Sequence, residues 1–151
     1  MNKSSKRLDN ELKTLSQKPV CNAIVEIPDQ NNPYKWKVYL PGPSGSPFEG
    51  GTFELSFEFP PNYPFKHPEV KFVTPMYHPN IKRDTGEICM DVFASSWSPT
   101  QTVGDIIEKL ASLLSSPSTS SPLESEICKE FMNNPSAYNK KVKEMVKKYA
   151  K

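Results

Sequence analysis

At 151 residues the chain can bury one sizeable core, and a second of comparable size has no room. Its 19 basic and 17 acidic side chains leave a formal charge of +2, without the strong basic excess expected of a nucleic-acid binder. The widely separated Cys21, Cys89 and Cys128 contain no C-x-x-C pair, which argues against a disulfide framework or a structural zinc site, and no apolar run reaches membrane-spanning length.

In chain order, Leu8, Leu12 and Leu15 fall at helical spacing and predict a short amphipathic helix over residues 5–17, with Lys6, Arg7 and Lys13 on its outer face. Residues 22–27 read as a strand. Tyr34, Trp36, Val38 and Leu40 alternate with Lys35, Lys37 and Tyr39 in a second strand. Phe53, Leu55, Phe57 and Phe59 alternate with Thr52, Glu54, Ser56 and Glu58 in a third, and residues 70–73 form a fourth. Proline- and glycine-rich connections at 41–47 and 60–68 favour an antiparallel meander. From Met76 to Thr100 the periodicity disappears although apolar residues persist, which marks a functional segment rather than a disordered one.

Three helices are predicted after that segment. Thr102 and Asp105 form a capping box ahead of a stripe of Val103, Ile106, Ile107, Leu110, Leu113 and Leu114, suited to pack across the sheet. Ser121, Pro122 and Glu124 read as the cap, first turn and box residue of the next helix, with Leu123, Ile127 and Phe131 on its buried edge. The last starts near Pro135 and sets Tyr138, Val142, Met145, Val146 and Tyr149 against a lysine-rich face.

Alternation around Cys89 puts its thiol on the side of Glu87 and Asp91, opposite Ile88, Met90 and Val92. Neighbouring carboxylates discourage the thiolate, so on this feature alone Cys89 reads equally as an incidental thiol. His67 and His78 are each followed by proline, which holds them extended, and neither stands at a familiar cysteine-hydrolase spacing. A cysteine without a base to activate water suits an acyl carrier better than a hydrolase.

The run Tyr77, His78, Pro79 and Asn80, with Cys89 nine positions later inside Gly86–Asp91 and then Trp97, Ser98, Pro99 and Thr100, resembles the active-site segment of the ubiquitin-conjugating enzymes. The likeness extends through Gly42 and Pro43, residues 47–51, Tyr63 to Lys66, Ser121 to Leu123 and the Tyr138 helix, and covers nearly the whole chain. It implies one α+β domain over residues 1–151: a four-stranded antiparallel meander with an N-terminal helix, a central helix across the sheet and two C-terminal helices, the UBC fold. It implies that Cys89 accepts ubiquitin as a thioester from the activating enzyme and that the acyl group passes to a lysine. Asn80 is then either the donor to the oxyanion or a bond-maker to its own loop. His78 has a structural role, and Tyr77 lines the same groove.

Asp91 and Ser121 match positions that orient or desolvate the incoming lysine. Many relatives carry an acidic residue where this chain has Ser121, whose alternative role is as a helix cap. Lys6 and Arg7 resemble the edge that meets the activating enzyme and ligases of the RING or HECT type. Tyr63, Pro64, Phe65, Ser98, Pro99 and Thr100 complete the ligase-facing patch, with Phe65 either its aromatic anchor or a proline-flanked ring that closes the core. Glu108 stands where relatives place an apolar residue against folded-back ubiquitin.

The resemblance implies no metal or organic cofactor, ATP being used by the activating enzyme, and a monomer acting on protein substrates in the cytoplasm or nucleus, without nucleic-acid or membrane partners. The alternatives are a noncatalytic ubiquitin-binding member of the fold, a carrier of another modifier such as SUMO, whose enzyme has an inserted loop that is missing here, and a thiol hydrolase.

Overall fold

The computed structural model describes residues 3–88, 97–120 and 122–151. Helix α1 spans Lys3–Gln17 and is followed by strands β1 (Ile24–Glu26), β2 (Lys35–Pro41), β3 (Thr52–Glu58) and β4 (Glu69–Phe72). Helices α2 (Val103–Ser115), α3 (Ser125–Asn133) and α4 (Pro135–Tyr149) complete the chain. The strands form one sheet in the order β1-β2-β3-β4, each pair antiparallel. This is the α+β meander expected from the short proline-rich connections.

The β2–β3 register faces Trp36 with Phe57, Val38 with Leu55 and Leu40 with Phe53. All six are essentially inaccessible to water. Burying side chains of this size stabilises the fold by about 1.5–3 kcal/mol each before entropy is counted. On the outer face Lys35 and Lys37 pair across strands with Glu58 and Glu54. The predicted α2 stripe, from Val103 to Leu114, is buried in the same cluster as the inner sheet face and Leu8 and Leu15 of α1. Thr102 accepts from the Asp105 amide at 3.1 Å and donates its own amide to the Asp105 carboxylate at 3.0 Å, the expected capping box.

The end of the chain is held against the sheet. The Thr52 amide donates to the Ala150 carbonyl at 2.9 Å, and a Cβ on Gly51 would lie 2.8 Å from Val146 Cγ1. A side chain at position 51 would push Val146 of α4 away from the start of β3.

Besides shifts of one or two residues at the ends of α1, β2, β3 and β4, two element boundaries and one burial differ from those expected of the sequence. Strand β1 is shorter than 22–27, because Cys21 and Asn22 have φ of 52° and 59°, left-handed values that continue the turn and exclude a strand. Helix α3 begins at Ser125, not at Pro122, with Glu124 at its cap position and no side-chain cap bond. The amides of Leu123 and Glu124 instead both donate to the Pro79 carbonyl, at 2.9 and 3.0 Å. In α4, Tyr149 is exposed rather than buried with Tyr138, Val142 and Val146.

Candidate functional site

The four-residue motif at 77–80 is held by three separate parts of the chain that follow α2 or end it. His78 is fully buried. Its Nδ1 accepts the Asn80 amide at 3.0 Å, so Nε2 carries the proton and donates to the Leu113 carbonyl at 2.8 Å. Burial, opposed by the bond to Leu113, lowers its pKa from 6.5 to about 4. A neutral ring with both nitrogens engaged is a strut and is unsuited to general-base work.

Asn80 is also fully buried. Its Nδ2 donates to the Ser118 carbonyl and its Oδ1 accepts the Ser118 amide, both at 2.9 Å. This reciprocal pair holds the 116–120 loop beside the motif. It is the backbone-bonding role weighed above, although made to a loop 38 positions away rather than to its own. One of the two Nδ2 hydrogens remains for another acceptor.

Tyr77 turns toward the C-terminal helices. Its hydroxyl donates to Glu130 of α3 at 2.7 Å, and its ring lies 5.9 Å from that of Tyr138 on α4. Arg83 and Lys141 stand over the same ring at 5.2 and 5.7 Å. Lys141 also closes an ion pair with Glu130 at 2.6 Å. Burial and the bond to Glu130 raise the Tyr77 pKa. These contacts make Tyr77 a brace between the motif and α3; the groove beside Cys89 that it is expected to line falls outside the described residues.

After Asn80 the chain folds back. Ile81 bridges Ile88, Lys71 of β4 bridges Glu87, and the Phe72 amide donates to the Gly86 carbonyl at 2.9 Å. Gly86 has φ +78°, and a Cβ there would lie 2.0 Å from the Phe72 carbonyl oxygen. Glycine is therefore required at this turn. The expected alternation holds as far as it is described, with Glu87 exposed and Ile88 buried. Cys89, Asp91 and Ser121, three of the candidate catalytic residues, lie outside the described residues. Cys21 is exposed, and burial and Glu108 raise its pKa. Among the described residues no group of three or more His, Cys, Asp or Glu side chains is disposed to hold a metal ion.

The expected partner patch is assembled from three elements. Phe65 is 76% exposed, Pro99, Thr100 and Lys6 are exposed, and Pro64 and Ser98 are half-buried. Ser98 and Thr100 hydroxyls are 2.8 Å apart. Tyr63, by contrast, is 1% exposed and lies beneath this surface, so its inclusion among the contact residues is corrected to a supporting role. Arg7 is likewise turned inward: its Nη1 and Nη2 donate to the Pro99 and Gln101 carbonyls at 3.1 and 2.8 Å, and its Nε to Glu11 at 2.9 Å. Trp97 Nε1 donates to the Pro64 carbonyl at 2.8 Å and ties the two loops together.

The centre of this assembly, Glu11, was missed in the sequence. Its buried carboxylate accepts from Arg7, from the Tyr63 hydroxyl at 2.5 Å and from the Val103 amide at 2.7 Å. Burial and the bond to Glu11 raise the Tyr63 pKa far above that of a free phenol. A signal was present, because Glu11 stands three residues after Leu8 and four before Leu15, on the apolar side of α1.

Residues 7–146 match the family model described as ubiquitin-conjugating enzyme. The chain is 43% identical over 146 residues to ubiquitin conjugating enzyme E2 B of Dictyostelium discoideum, covering 97% of each chain. Among solved structures it is similar to a candidate ubiquitin conjugating enzyme of Plasmodium yoelii, with TM-score 0.93, 35% identity and coverage of 99% of this chain and 97% of that one. It is also similar to the E2 domain of a Toxoplasma gondii ubiquitin conjugating enzyme, with TM-score 0.89, 32% identity and coverage of 97% and 98%.

Proposed function

The chain belongs to the ubiquitin-conjugating enzyme family and has its UBC fold, and we propose that it carries ubiquitin as a thioester on Cys89 and delivers it, with a ubiquitin ligase, to a substrate lysine. Family membership makes it a ubiquitin transferase and implies dealings with ubiquitin, its activating enzyme and ligases. The observation that carries the finer reading is the bridge between Ile81 and Ile88. Those two residues directly follow Asn80 and directly precede Cys89 in the chain.

In this reading the Cys89 thiolate attacks the carbonyl at ubiquitin's C-terminus in the activating enzyme's thioester, and the activating enzyme's sulfur leaves. A lysine amine then attacks the new thioester, the carbon–sulfur bond breaks, an isopeptide bond forms and the amine loses a proton. An amine of solution pKa about 10.4 is almost wholly protonated near neutrality, so it must be desolvated to act as a nucleophile. Asp91 and Ser121 are assigned to that task. The Asn80 amide holds the Ser118 loop with one hydrogen and offers the other to the oxyanion, where one well-placed donor lowers the barrier by about 3 kcal/mol. No cofactor is required of this chain, and ATP is spent by the activating enzyme. The same reading takes residues 1–151 as one monomeric catalytic core acting in the cytoplasm and nucleus.

A charging assay with activating enzyme, ATP and ubiquitin, resolved with and without reductant, tests the reading. The expected result is a reductant-sensitive adduct on wild type and Cys21→Ser, replaced in Cys89→Ser by none or by a reductant-resistant ester. A chain charged by SUMO and not by ubiquitin would keep the chemistry and change the modifier. Hydrolysis of esters or peptides without activating enzyme would refute the carrier role.

A further inference from the structure

The surface of α4 carries a charge that nothing in the transfer chemistry uses. From Pro135 onward six lysines accompany a single glutamate, a net charge of +5; the remaining chain has thirteen basic and sixteen acidic side chains, a net charge of −3. Lys141 is paired with Glu130, and the Lys148 ammonium stands over the Tyr149 ring at 5.1 Å. Lys140, Lys143, Lys147 and Lys151 are exposed, and none forms an ion pair among the described residues.

These lysines line a concave surface. A groove of about 860 Å³ runs between the 45–50 loop and α4, with Gly45, Ser46 and Glu49 on one wall and Lys143, Lys147 and Lys151 on the other. A second depression of about 560 Å³ flanks the opposite side of Lys143 and Lys147 and includes Lys140, with Glu144 the one acid among its three lysines. The acid on the loop wall is turned into its own turn, because Glu49 Oε1 accepts the Gly45 amide at 2.7 Å. Lys151 is seated over Gly50, its ammonium 3.6 Å from where a Cβ would stand.

Successive lysines four residues apart on a helix rise by about 6 Å. Side chains on one side of an extended strand repeat at about 6.7 Å. An extended segment with acidic residues at alternate positions therefore presents carboxylates in step with this row. We propose that the groove between α4 and the 45–50 loop docks an acidic, extended segment of a partner protein. A protein segment fits better than nucleic acid or an anionic membrane. The lining contains no arginine for bidentate phosphate recognition and no aromatic platform or apolar wedge, and the net negative charge of the rest of the chain disfavours a long polyanion. This surface is independent of the thioester reading.

The test uses the full chain and a fluorescent peptide of alternating glutamate and serine, with the glutamine–serine peptide as control. Fluorescence anisotropy at about 50 and 200 mM salt should show binding of the acidic peptide alone, weaker at the higher salt. Lys143→Gln/Lys147→Gln should raise Kd by about tenfold or more, and the charge-matched Lys66→Gln/Lys71→Gln by less than about twofold. Amide resonances of the 45–50 loop and α4 should shift on titration. Equal loss in both double variants, shifts elsewhere, binding of the neutral peptide, or tighter binding of a short oligonucleotide or of phosphatidylserine vesicles would each overturn the proposal.

Discussion

The Glu11 carboxylate accepts the Val103 backbone amide at 2.7 Å, so α1 supplies an anion to the first turn of α2 from 92 positions away in the chain. That amide is one of the donors a helix start leaves unpaired, and negative charge at this end is favoured by the helix dipole. The same carboxylate accepts from Arg7 and Tyr63, which brace the loops carrying Pro99 and Phe65. Glu11→Ala is expected to lower stability by about 3 kcal/mol, because it leaves buried donors unsatisfied. Glu11→Gln, which keeps one acceptor oxygen, should cost less than half of that. Urea unfolding of the two variants checks both values, and a loss below about 0.5 kcal/mol for the alanine variant would show that the network is dispensable.

His78 sets a pH dependence. Its folded pKa, about 4, lies below the ordinary 6.5, so the fold favours the neutral ring. The stability it contributes is complete above pH 6.5 and is lost as pH falls toward 4, about 3 kcal/mol over the full window. NMR of the imidazole should show no titration above about pH 5 in the folded chain. A ring that titrates near 6.5 would contradict the buried geometry.

Asn80 variants separate loop-holding from oxyanion donation. Asn80→Asp can still accept the Ser118 amide but cannot donate, whereas Asn80→Ala loses both bonds. Ser118 amide exchange should stay slow in the first variant and speed up in the second. Discharge of the charged enzyme to lysine should fall by about a hundredfold in both if the amide serves the oxyanion. Near-normal discharge in Asn80→Asp would assign Asn80 to the loop alone.

Phe65 and Tyr63 stand on either side of Pro64 but should behave oppositely. With Phe65 76% exposed, Phe65→Ala is expected to change stability by less than about 0.5 kcal/mol while reducing ligase-stimulated discharge by about tenfold or more. Tyr63→Ala should cost about 3–5 kcal/mol of stability, since it empties a buried ring site. Ligase-stimulated and ligase-free discharge, measured beside thermal melting, distinguish the two.

The Tyr138 hydroxyl is buried and has no hydrogen-bond partner among the described residues. Tyr138→Phe removes this orphan and keeps the ring contacts with Tyr77 and Phe131. A gain of about 1 kcal/mol in urea unfolding is expected. A loss of similar size would reveal a partner for the hydroxyl.

Alternation and helical spacing carried most of the architecture, because the inner residues of β2, β3 and α2 obey a single period and each has one environment. The Thr102 and Asp105 box was legible for the same reason, since its partners are three residues apart. What local patterns could not show were decisions made by distant partners. Ser121, Pro122 and Glu124 have the composition of a helix start, but the Pro79 carbonyl takes the Leu123 and Glu124 amides and the helix begins later. Arg7 looked like an outer-face cation because the carbonyls of Pro99 and Gln101 that draw it inward are more than 90 residues away. The 77–80 motif was found as a spelling, and its bonds to Leu113, Ser118 and Glu130 only as geometry.

Those long-range bonds also bear on how the protein is made. His78, Pro79 and Asn80 find their partners at Leu113, Ser118, Leu123 and Glu124, all synthesised well after the motif itself. A chain that has not yet reached Leu113 has the motif without any of these bonds. The bonds that fix the 77–80 motif are therefore completed only by a segment that follows it in the chain, from Leu113 to Glu124.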